Sequence, residues 1–182
     1  MSFIEREEAR FPAGRWGLSR HRRSRYNPDT IMEKQQDAMV ILKLYELRRD
    51  EQMRAARQWF FSKFAPTSAM DIVGLYRGGE RASANFRMVT SYWDTAAAIV
   101  LNGGIDRKMF LDAGTEHIFV YSKVEEFLPE VREMFREPDF LLNLETLVRS
   151  IPDVDQKIAG RRRLAGLWTQ PEAGENSQSK QL

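Results

Sequence analysis

Arg15, Arg20, His21, Arg22, Arg23 and Arg25 crowd into one short stretch that contains no acidic residue. A guanidinium stays charged at any physiological pH, and its planar fork of N–H donors matches phosphate and carboxylate oxygens. The chemistry open to this stretch is therefore polyanion binding. Each arginine that neutralises a nucleic-acid phosphate releases condensed counterions, so roughly five to seven contacts would make binding to DNA or RNA fall steeply with salt. Phe11, Trp16 and Tyr26 interleave with the charges and offer surfaces for stacking on bases or for contact with an anionic membrane. The competing reading is a solvated, mobile tail that aids solubility or packs on a partner.

Other chemistry finds fewer residues to work with. His21 and His117 are the only histidines and there is no cysteine. Neither HExxH nor a helical Glu-x-x-His pair occurs, so a zinc or di-iron centre lacks its ligands; no metal and no cofactor are expected. Asp106, Asp112 and Glu116 fall near a turn, and clustered acids can divide acid and base roles. Asp106 is better placed as a helix cap and the other two as solvated acids, so no catalytic residue is assigned. His117 lies in an apolar segment and reads as a core or edge histidine. Gly78-Gly79 and Gly103-Gly104 belong to no phosphate-cradling motif and read as helix stops.

The elements that would carry these residues follow from composition and period. With 42% apolar and 30% charged residues, the 182-residue chain has the makings of a packed core rather than a disordered coil. Residues 1–26 hold seven Arg against three Glu, a charge of +4, while the whole chain is at +2. Attraction for polyanions thus belongs to the arm, with Arg161 to Arg163 as a second patch. Absence of cysteine points to a reducing compartment, and the cytoplasm is the expected location. The most apolar run, Thr95 to Leu101, is too short to span a bilayer, so no transmembrane segment is expected.

Residues 1–26 read as a flexible arm, 27–166 as a helical bundle and 167–182 as a disordered tail. Asn27-Pro28 starts a first helix, whose Ile31, Ala38, Leu42 and Tyr45 share a face that Met39, Ile41, Leu44 and Leu47 widen; burial on more than one side is expected. Asp50 caps a second helix with Met53, Ala56, Phe60 and Phe64 inward. A third runs from Ser68 to Arg77. A fourth, Arg81 to Asn102, repeats Phe86, Val89, Trp93, Ala97 and Val100 at spacings of three and four, with Ala96 to Ala98 allowing close approach.

Asp106 then caps a short helix to Asp112. Ile118 to Tyr121 has strand-like composition, but Ile118, Tyr121, Phe127 and Val131 share a helical face, and helix is the preferred reading. Pro129 should kink it at the carbonyl of Glu125. A last core helix spans Pro138 to Arg149, and Asp153 to Gly166 adds a basic one weakened by Gly160. The core elements, without that basic addition, make an all-α, antiparallel bundle of about six or seven helices.

Leu44-Tyr45-Glu46-Leu47, Met53-Arg54-Ala55-Ala56-Arg57, the row Trp93 to Leu101, Asn102-Gly103-Gly104-Ile105-Asp106, and Tyr121 to Pro129 with Val131-Arg132 carry a likeness over Ile41 to Ile151. That stretch resembles a family of uncharacterised bacterial helical domains of unknown function, some of whose relatives carry a transmembrane segment ahead of the domain. The resemblance implies an all-α fold and brings no activity, cofactor or catalytic residue. Here the arginine-rich arm stands in the place of that segment.

The function expected first is a non-enzymatic interaction or scaffold module whose basic arm docks an acidic partner, either another protein or a second copy of the chain. A nucleic-acid-binding accessory protein that uses Arg15 to Arg25 is the alternative, and peripheral contact with an anionic membrane is a further use of the same arm. An enzyme of unrecognised type comes third.

Overall fold

A computed structural model of the chain describes residues 28–168. The expected arm, with Arg15, Arg20, His21, Arg22, Arg23 and Arg25, lies outside the described residues, as does nearly all of the expected tail.

Among the described residues the structure is all-helical, with α1 (Pro28–Leu47), α2 (Glu51–Ser62), α3 (Ala69–Arg77), α4 (Arg81–Leu101), α5 (Arg107–Ala113), α6 (Glu116–Val124), α7 (Leu128–Phe135), α8 (Leu142–Arg149) and α9 (Val154–Trp168). Short polar side chains set several of the starts. Asp50 accepts from the backbone N–H groups of Gln52 and Met53, and Ser68 and Asp71 form a reciprocal capping box at α3. Asp106 accepts from Met109 N at 2.7 Å and opens α5. The turn before it depends on Gly103, with φ +76°, and on Gly104, where a Cβ would lie 2.9 Å from the Ile99 side chain.

The long helix α4 is the axis of the fold. Its Phe86, Val89, Trp93, Ala96, Ala97 and Val100 are buried, and it packs against α2 and α8, with further contacts to α3, α5 and α6. The alanines let neighbouring backbones approach closely. Helix α6 is buried almost all round, from His117 to Ser122 and again at Val124, because α4, α8 and α9 all pack on it. That enclosure explains how a β-branched, aromatic segment settles as helix: tertiary packing outweighs a weak local preference.

Four expectations need correction. Helix α1 is not buried on more than one side. It rests mainly on α5, with Val40, Ile41 and Leu44 packed on the core, while Met39, Leu42, Tyr45 and Leu47 stay exposed. Pro129 does not kink a continuous helix: a 3-10 turn over Glu125–Phe127 intervenes, and the proline falls in the first turn of α7, where its missing N–H costs little.

The last core helix begins at Leu142 rather than Pro138. Left-handed residues at Arg136 and Leu141 bracket a turn there, and Asp94 from α4 then accepts from Leu144 N and Asn143 Nδ2 at the start of α8. The full helix α9 and the break before α7 raise the count to nine α-helices among the described residues.

Candidate functional site

One group of largely buried polar side chains meets at the first turn of α6. Glu116, its side chain only 12% exposed, receives three groups from three other parts of the chain. Arg57 on α2 donates through Nε to Oε1 at 2.7 Å and through Nη2 to Oε2 at 2.6 Å. Arg48, just beyond α1, donates through Nη2 to Oε2 at 2.6 Å. Trp93 on α4 donates its indole N–H to Oε1 at 3.3 Å. Fork-to-carboxylate pairing of this kind fixes orientation as well as charge. The bond to Glu116 raises the Arg57 pKa against the opposing effect of burial.

His117, the next residue, is 1% exposed and packs its ring against Trp93 and Phe110, with centroids 5.8 and 5.4 Å away. Neither ring nitrogen has a hydrogen-bond partner among the described residues, and the same holds for Arg48 Nε. Burial, assisted by the positive charge of Arg161, lowers the imidazole pKa to about 4, so His117 is neutral at physiological pH. Beside these groups lies a small cavity of about 40 Å³ between α1, α4, α5 and α6, lined by Ile41, Arg48, Tyr92, Trp93, Phe110 and His117 among others. The hydroxyl of Tyr92 donates to Leu44 O at 2.6 Å, and burial pushes its pKa up to about 12.

The three acids near the α5 turn do not form a cluster. Asp106 caps α5 as expected. Asp112 is exposed and pairs with Lys108 at 2.6 Å. Glu116 is the correction: instead of a solvated acid it is the hub of the arginine network. Among the described residues no three histidines or acids gather in metal-ligating geometry, and no helix is long and apolar enough to cross a membrane. The expected basic patch on α9 is largely engaged: Arg162 pairs with Glu125 and Glu126, and Arg161 bonds the Thr115 hydroxyl.

Sequence reasoning missed Glu116, Arg48 and Arg57 because their partners lie 59 and 68 positions away. One signal was present in the chain, namely Arg57 on the inward side of the α2 stripe, four residues after Met53 and three before Phe60. A cation at that place on an amphipathic helix needs a buried counter-charge.

A family model described as a domain of unknown function (DUF4760) matches residues 35–151. The match covers more than half of the chain and contains the whole Arg48, Arg57, Trp93, Glu116 and His117 constellation. The chain belongs to this family. No curated protein and no solved structure matches it.

Proposed function

We propose, for this member of the DUF4760 family, a non-enzymatic interaction module that lays the outer strip of α1 on an acidic amphipathic partner while the arginine-rich arm supplies the counter-charge. The observation that supports this reading is the uncovered apolar strip itself. Met32, Met39, Leu42 and Tyr45 are 59%, 66%, 60% and 54% exposed. Met32, Met39 and Leu42 lie on the side of α1 away from Val40, Ile41 and Leu44, which pack on the core, and Tyr45 stands at the edge of that strip beside Ile41 and Arg48. Single exposed apolar residues are ordinary, whereas several on one helix face are the usual anchors of helix-in-groove and helix-on-helix recognition.

Charge defines the chemistry of the partner. Residues 1–26 carry +4 and lead directly into α1, so an apolar helix face flanked by carboxylates complements this end of the chain. Titration of the full chain with an acidic amphipathic helical peptide, followed by anisotropy, tests the reading. Binding should survive in part at physiological salt and weaken about tenfold both on Met39→Lys with Leu42→Lys and on glutamine substitution of Arg20, Arg22, Arg23 and Arg25. A concentration-dependent dimer removed by the α1 substitutions would assign the strip to a second copy and overturn the acidic partner. Tighter binding to DNA or RNA, indifferent to the α1 substitutions, would install the nucleic-acid role instead.

A further inference from the structure

We propose that the cavity beside His117 is a binding site for a small monocarboxylate, whose oxygens take the Arg48 Nε–H and a His117 ring N–H while its alkyl end lies against Ile41, Trp93 and Phe110. Two independent observations meet there. One is the cavity, whose volume of about 40 Å³ is roughly three water-sized spheres, room for a ligand of about four or five non-hydrogen atoms. The other is a set of buried polar atoms on two residues that line it, the His117 ring nitrogens and Arg48 Nε, which have no hydrogen-bond partner among the described residues although Arg48 Nη2 is held by Glu116. Buried donors without partners are rare because each costs its full desolvation, so their convergence on one cavity marks a place where a polar ligand belongs.

The sign of the ligand follows from the surrounding charges. Arg48 from the end of α1, Arg57 from α2 and Arg161 from α9 stand against Glu116 alone. Burial keeps the Tyr92 hydroxyl protonated at neutral pH, and α5 lines the cavity with Phe110 and Ala113 only. The site is thus net positive, and an anion is the complement. A carboxylate suits it better than a phosphate, because few donors are free and the rest of the wall is apolar. His117, held neutral by burial, would be drawn toward its protonated form by an anion at its edge, which couples binding to proton uptake. The site meets the outer strip of α1 only at Tyr45, and Met39 and Leu42, which test the strip, do not line it, so the two readings are tested apart.

The test uses sodium propionate with the full chain, observed through the His117 ring signals by NMR; His21→Gln removes the only other imidazole. Propionate should shift those signals saturably, with half-saturation on the order of 1 mM, and raise the His117 pKa. Propan-1-ol, of the same length without the charge, should leave them in place. No saturable shift up to about 50 mM propionate, an equal response to propan-1-ol, or an equal response to inorganic phosphate would each overturn the proposal.

Arg48→Lys keeps a cation for Glu116 and removes Nε–H. It should weaken propionate about tenfold with the melting temperature preserved, and unchanged affinity in a folded variant would refute the assigned donor. The ligand comparison is made on an unaltered site, so it decides the matter even where Arg48→Lys fails to fold.

Discussion

Arg57 holds Glu116 through both carboxylate oxygens, at 2.7 and 2.6 Å, and thereby ties the middle of α2 to the first turn of α6. Arg48 shares one of those oxygens, so a single acid offsets two cations whose side chains are 22% and 19% exposed. Removal of the acid would leave both guanidiniums facing one another in a largely dry environment.

Glu116→Gln should therefore destabilise the fold by about 3 kcal/mol, far more than the loss of a solvent-screened pair such as Lys108 with Asp112. Urea denaturation of Glu116→Gln and Asp112→Asn, side by side, checks the contrast. Equal small losses would mean that the network is no more than a surface ion pair. In a double-mutant cycle, adding Arg57→Met to Glu116→Gln should recover part of the loss, because one of the two guanidiniums left without a counter-charge is then removed and only Arg48 remains unpaired.

His117 supplies a pH signature. Its folded pKa of about 4 lies below the ordinary 6.5, so between those values the unfolded chain binds more protons than the folded one. Stability is fully present above pH 6.5 and is lost as pH falls toward 4, by about 3 kcal/mol from this residue. Denaturation series at pH 7, 6, 5 and 4 on the parent and on His117→Phe should diverge in slope across that window. Parallel slopes would place the imidazole in water.

Trp93 is 4% exposed and bonds Glu116, with the Arg48 guanidinium 5.3 Å from its ring. Trp93→Ala combines a large cavity with a lost donor, and a cost of about 3–5 kcal/mol is expected. A thermal melt shows this directly: an unchanged midpoint would remove Trp93 from the core.

The sequence was legible where local rules and burial agree. The α4 stripe, the Asp50 and Asp106 caps and the Gly103-Gly104 turn each rest on spacing or on backbone freedom, and all appear where the residues predict them. It was misleading for α1, because an apolar face says only that something covers it, and Met39, Leu42 and Tyr45 have no cover among the described residues. The network around Glu116 was illegible for a different reason. Ion pairs between distant segments follow no period, and an acid at the start of a helix looks the same on the surface as inside.

Arg136 offers a test of backbone strain rather than of contacts. It ends α7 at φ +57°, where its N–H reaches back to the carbonyls of Arg132 and Glu133. That is the left-handed position where a side chain costs energy and glycine does not. The side chain is exposed, so its loss removes little packing. Relief of the strain should outweigh the added freedom of the unfolded chain, and Arg136→Gly is expected to stabilise by about 0.5–1 kcal/mol. Arg136→Ala keeps the Cβ and separates the backbone effect from loss of the charge: only the glycine variant should raise the denaturation midpoint. A gain shared equally by both would trace the effect to the guanidinium and not to the turn.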